Sequence, residues 1–170
     1  MSGADTDARR IRRSAHNGEQ AERDEPLGTP QTQQSETRDP SLVLIAEDEQ
    51  PIADALAMIV ADAGYTPLLA SQGKQALELA RARHPALILT DLMMPLLDGA
   101  QLIAAIRADA ELDNHRPPPI VLMTAGGVRR ALEVNADALL KKPFEITEVE
   151  ALLRRFLGPP PLTGPYPPGE

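Results

Sequence analysis

One hundred and seventy residues with no cysteine, no tryptophan and a formal net charge of -8 suit one domain of ordinary size with tails, or two very small domains. Without cysteine there is no disulfide framework, thiolate zinc site or cysteine nucleophile, and the acidic balance argues against a nucleic-acid partner, which calls for a basic face. No apolar run approaches the ~20 residues that span a bilayer, and no N-terminal stretch has the apolar segment of a secretory signal, so a cytoplasmic protein without membrane insertion is expected.

Residues 1–40 hold seven residues of the set AVILMFWYC, fourteen charges and no two adjacent apolar residues. Such a segment cannot bury enough surface to offset its ordering entropy, and disorder is expected. Arg9, Arg10, Arg12 and Arg13 cluster there, but Asp5, Asp7, Glu19 and Glu22 lie close by, which describes a solvated charge run. Residues 41–157 hold 63 apolar residues out of 117 and are the expected domain.

Leu42–Ala46 is a short apolar run without polar alternation, as expected of a strand buried on both faces. A helix follows with Ile52, Leu56, Ile59 and Ala63 on one face, Pro51 in its first turn and Gly64 as its stop. Thr66–Ala70 is a weaker strand pattern. Ser71 is placed to cap a second helix carrying Ala76, Leu77 and Ala80 inward. Ala86–Thr90 repeats the buried-strand pattern, and Leu102, Ile103 and Ile106 mark a third helix. Asp113–Pro119 is a somewhat long loop with three consecutive prolines before the strand Ile120–Thr124. Val128–Val134 forms a short helical pattern, and Ala138–Lys141 a fifth strand. Val149, Leu152, Leu153 and Phe156 mark a last helix, with Thr147-x-x-Glu150 as its capping box. Residues 158–170 contain six prolines and three glycines and predict an extended or disordered tail.

Strand and helix alternate five times. Parallel strands need such crossovers, so the pattern predicts an α/β fold: a parallel, doubly wound sheet with helices on both faces. In that fold the functional crevice lies at the carboxyl ends of the strands. Glu47, Asp48 and Glu49 follow the first strand, Asp91 the third, Thr124 ends the fourth, and Lys142 follows the fifth. Crowded carboxylates repel unless a cation holds them, and hard oxygen ligands suit Mg²⁺. A lysine and a threonine opposite complement phosphate oxygens. The set fits phosphoryl chemistry, in which a carboxylate can itself be the nucleophile. Taken singly, each group reads as a loop acid, a helix N-terminal charge or a turn; the joint pattern carries the inference.

The stretches LVLIAEDE, LILTDLMMPLLDG, IVLMTA and ALLKKPF resemble the receiver domain of bacterial two-component response regulators over residues 41–157. The resemblance implies a flavodoxin-like five-stranded sheet in the order 2-1-3-4-5. It implies Asp91 as phosphoacceptor, Asp48 as a direct Mg²⁺ ligand, Glu47 acting through a water, and the Met93 backbone carbonyl as a further ligand. Asp91 would share that ion. It also implies Thr124 as the switch hydroxyl, Lys142 as the cation that pairs with the phosphoryl group, and a cis bond before Pro143. Expected partners are a histidine kinase or phosphotransfer protein and a downstream target protein, with no enzymatic activity beyond self-phosphorylation and self-dephosphorylation.

Two features depart from the family pattern. The stretch from Thr124 to Lys142 is about one helical turn short, and Leu139 stands where the family commonly has Tyr or Phe. They motivate an alternative, a receiver-like scaffold that binds partners independently of phosphorylation. A Mg²⁺-dependent phosphatase of similar topology ranks last, because the second position after Asp91 is Met93 rather than an acid.

Overall fold

A computed structural model describes residues 39–126 and 132–160. In chain order these form β1 (Asp39–Ala46), α1 (Gln50–Asp62), β2 (Thr66–Ala70), α2 (Gly73–Arg83), β3 (Pro85–Asp91), α3 (Gly99–Leu112), β4 (Ile120–Thr124), β5 (Ala138–Lys141) and α4 (Ile146–Leu157). The five strands make one parallel sheet in the order β2-β1-β3-β4-β5, the expected flavodoxin-like arrangement. The apolar runs anticipated the strands well. β3 extends one residue further at each end, to Pro85 and Asp91, and β1 extends to Asp39, through a register irregularity between Asp39 and Val43 in its pairing with β3.

Absence of alternation in the strands has its cause in the layers. Leu44, Ile88, Ile120 and Leu122 pack with Ala76, Leu102 and Ile103 of α2 and α3 on one face. Val43, Ile45, Leu87, Leu89, Val121 and Met123 pack with Leu56, Val60, Val149 and Leu153 of α1 and α4 on the other. Strands covered on both sides need no polar positions. α1 buries Ala53, Leu56 and Val60, with Ile52, Ile59 and Ala63 at the margin, so its inward stripe is rotated by about one residue from the expected one.

Two expected helix starts are corrected. α4 begins at Ile146, with Glu145 as N-cap and Glu145 and Glu148 forming the reciprocal box, two residues before the Thr147–Glu150 pair. A carboxylate accepts the third amide as a hydroxyl would, so the earlier pair caps the helix. For α2 the N-cap is Gln72, without a side-chain cap, and Ser71 instead donates its amide to Gln75 Oε1 at 2.9 Å. The reason is Gly73, which opens α2. A Cβ there would stand 2.0 Å from the Leu97 carbonyl oxygen, so this end of α2 lies directly on the loop before α3.

Beyond α4, the Tyr65 hydroxyl donates to the Gly158 carbonyl. Pro160 lies over Gly64, where a Cβ would come within 2.8 Å of it. The helical pattern Val128–Val134 falls largely on residues 127–131, outside the described residues, as do residues 1–38 and 161–170. Among the described residues, no helix is long and apolar enough to cross a membrane.

Candidate functional site

Sheet register alone brings the acids and the lysine to one edge. Ala46 pairs with Thr90, so the next residues, Glu47 and Asp91, leave adjacent strands side by side. Asp91 pairs with Met123, and Thr124 with Lys141, which puts Thr124 and Lys142 at the same level. The edge is tied down by backbone bonds: Glu47 N to Ala70 O at 3.0 Å, Leu92 N to Met123 O at 2.9 Å, and Lys142 N to Thr124 O at 2.8 Å. Gly99 is required here as well, because a Cβ on it would stand 2.2 Å from the Asp91 carbonyl oxygen. α3 starts under the acid without displacing it, and Asp98 and Gln101 close its capping box.

The Lys142 ammonium bridges two carboxylates, at 2.6 Å from Glu47 Oε2 and 2.8 Å from Asp91 Oδ1. The other Asp91 oxygen, Oδ2, accepts the Met93 amide at 2.8 Å. Glu47 Oε1 accepts the Glu49 amide at 3.3 Å. Glu47 and Asp91 are buried, while Asp48 is exposed. Carboxylate oxygens of Glu47, Asp48 and Asp91 lie within 4.8 Å of one another. Three hard oxygen donors at that spacing, one facing solvent, fit a divalent cation such as Mg²⁺ that keeps part of its water shell.

Burial pushes the Glu47 carboxyl above its ordinary range; the Lys142 hydrogen bond and charge pull it back, and the Asp91 charge adds to the rise. For Lys142, burial works against the ammonium, but the hydrogen bonds and charges of Asp91 and Glu47 outweigh it and leave the lysine raised. The ammonium form of Lys142 is thus favoured by the two acids it bridges.

Thr124 is buried at the edge, but its hydroxyl is engaged by the loop that follows. It donates to the Gly126 carbonyl and accepts the Gly126 amide, the latter at 3.2 Å. Lys142–Pro143 is a cis peptide. Leu139 is 38% exposed on β5, and Lys141, next to Lys142, is exposed. His84 and His115 lie on the α2 and α3 ends of the chain, away from the strand edge. Sequence reasoning had brought Glu47, Asp48, Asp91, Thr124 and Lys142 to this edge. It missed the Glu47–Lys142 bond, which joins residues 95 positions apart, and the Met93 amide on Asp91. The first follows from the strand order and has no local signal; the second is a local Asx-type turn, two residues along the chain, of the kind an aspartate at a strand end can form.

A family model described as the response regulator receiver domain matches residues 43–154. The chain is 31% identical over 124 residues to response regulator Rre1 of Synechocystis, covering 70% of this chain and 52% of that protein. It is 36% identical over 118 residues to the transcriptional regulatory protein PcoR of Escherichia coli, covering 68% and 50%. The chain thus spans about half the length of these curated relatives. Among solved structures, the receiver domain of sensor histidine kinase PA1611 from Pseudomonas aeruginosa, which has a magnesium ion coordinated in its active site cleft, superposes with a TM-score of 0.62 and 28% identity, over 69% of this chain and 98% of that one. Chemotaxis protein CheY4 of Vibrio cholerae gives 0.60 and 26%, over 68% and 98%.

Proposed function

The chain belongs to the response regulator receiver domain family, and we propose from that premise that it is a phosphorylation-dependent signalling switch with Asp91 as its phosphoacceptor. The observation that carries this reading is the Lys142 ammonium, fixed 2.8 Å from Asp91 Oδ1 and anchored on its other side by Glu47. The donor is a phosphohistidine on a histidine kinase or phosphotransfer protein. A carboxylate oxygen of Asp91 forms the new O–P bond, the P–N bond to the donor imidazole breaks, and the imidazole leaves with the electron pair. Asp48 and Asp91, with the Met93 carbonyl and Glu47 through a water, would hold Mg²⁺. When bound, the ion screens the repulsion between the attacking carboxylate and the anionic donor.

The chain's own residues do the rest. The Met93 amide fixes the rotamer of Asp91, so the nucleophile is oriented before the donor arrives. Lys142 is positioned to follow the growing negative charge on the phosphoryl oxygens, as a charge-assisted donor. Thr124, released from Gly126, would supply the hydroxyl that reports the phosphoryl group to the β4 loop. The output is a changed surface read by a separate target protein.

The test is incubation with Mg²⁺ and a small phosphodonor, followed by intact mass. One acid-labile phosphoryl group is expected on the wild type and none on Asp91→Asn; equal labelling of the two removes Asp91 from the role. One observation favours a second reading, a partner-binding scaffold that does not switch: Leu139, three residues before Lys142, offers no ring to couple to Thr124. Partner affinity that is identical before and after stoichiometric phosphorylation would select that reading.

A further inference from the structure

Between β3 and α3 the chain adopts a conformation that its own residue disfavours. The Leu97 amide donates to the Pro95 carbonyl at 2.8 Å, closing a three-residue γ-turn on Leu96, whose φ is +68°. The positive-φ form of this turn is the rarer and more strained one. A Cβ makes left-handed backbone costly; glycine escapes that cost and asparagine tolerates it. Leu96 recovers nothing by packing, because it is 89% exposed.

The turn is held rather than loose. The Leu97 carbonyl is seated against Gly73, Asp98 caps α3, and the Gly99 amide bonds to the Leu92 carbonyl at 3.0 Å. The same loop carries Met93, 64% exposed, whose amide holds Asp91. A rigid loop that starts at the acceptor carboxylate thus presents two large apolar side chains to solvent, one of them under backbone strain. Strain of this kind persists where the surroundings over-determine it, and such places are commonly functional.

We propose that Leu96, together with Met93, is a specificity-determining contact for the protein that delivers the phosphoryl group, filling an apolar depression beside that donor's phosphohistidine. The inference rests on the reading of Asp91 as acceptor. Transfer to a carboxylate at a sheet edge requires donor nitrogen, phosphorus and carboxylate oxygen in line at contact distance. The donor surface around its histidine must therefore cover the loop that leaves Asp91, whereas a small phosphodonor has no such surface. An apolar side chain already held outward loses little freedom on docking, which favours affinity.

The experiment compares wild type, Leu96→Asn and Leu96→Met, each as the full chain with Mg²⁺. Two donors are used: phosphoramidate, and a histidine kinase from the same genome selected because it phosphorylates the wild type. Leu96→Asn should label normally with phosphoramidate and melt at the same or a higher temperature, since asparagine suits the turn. From the kinase its labelling should slow roughly 10- to 100-fold, the worth of one buried leucine. Leu96→Met should restore transfer. The inference is overturned if Leu96→Asn is labelled normally by both donors, if it loses both equally, or if it melts lower. It is also overturned if no kinase labels a wild type that phosphoramidate does label. Failure of phosphoramidate to label the wild type would instead sink the reading of Asp91.

Discussion

Lys142 neutralises two acids with one ammonium, and its removal should be felt first at Glu47. The Glu47 side chain is fully buried, so Lys142→Ala leaves a buried carboxylate without its cation. A loss of roughly 3 kcal/mol is expected near neutrality, since breaking one partner of a buried pair strands the other. The pH dependence follows from the direction of the Glu47 shift. Its folded-state value is raised, chiefly by burial, so its contribution to stability is fullest below the ordinary glutamate value and is lost as pH rises through the folded one. Without Lys142 that value rises further. Denaturant titrations without divalent cation should therefore show the Lys142→Ala deficit shrinking at the acid end, and Glu47→Gln added to Lys142→Ala should restore most of it. A deficit independent of pH and of Glu47 would contradict the bridge.

Elements meet at glycines where backbone touches backbone. Gly73→Ala would drive a methyl onto the Leu97 carbonyl, and Gly99→Ala onto the Asp91 carbonyl. Each should cost about 1–3 kcal/mol, while Gly126→Ala, with no atom of the described residues near its added methyl, should be close to neutral; thermal unfolding separates the three. At the far end of α4, Tyr65→Phe removes the donor to Gly158 and should cost about 1 kcal/mol. Burial raises the Tyr65 phenol, with Arg154 pulling it back. A raised value contributes fully below the ordinary tyrosine range and is lost above it, so the gap between wild type and Tyr65→Phe should close in strongly alkaline buffer. The strands and their order were legible because a parallel sheet buried on both faces leaves unbroken apolar runs. The site was legible because its residues sit at the end of those runs or one or two places past it. Caps were less so: Glu145 and Glu148 displaced Thr147 and Glu150, since carboxylates cap as hydroxyls do. The turn at Leu96 was not legible at all, because leucine gives no sign of positive φ; only the fixed positions of Gly73 and Gly99 impose it.

The molecule as a whole should answer to Mg²⁺ through the acids of one edge. A ligand bound only by the folded state stabilises it by mass action, about 2.7 kcal/mol at a hundred times its dissociation constant. Wild-type melting temperature should climb with Mg²⁺. Asp48→Ala should abolish the climb and Glu47→Ala reduce it less, because Asp48 faces solvent while Glu47 is engaged by Lys142. Equal responses of the two variants would contradict that order. The same lysine has a bearing on time. Glu47 follows the first strand and Lys142 the last, 95 positions on, so the pair forms only after nearly the whole sheet has been threaded. Contacts of such long sequence separation form late when a chain folds. A nascent or half-refolded chain, with β1 and β3 paired but β5 not yet docked, would show Asp91 without its ammonium and would take up phosphate poorly. If Asp91 is the acceptor, a refolding experiment should show labelling competence by a small phosphodonor trailing the recovery of secondary structure.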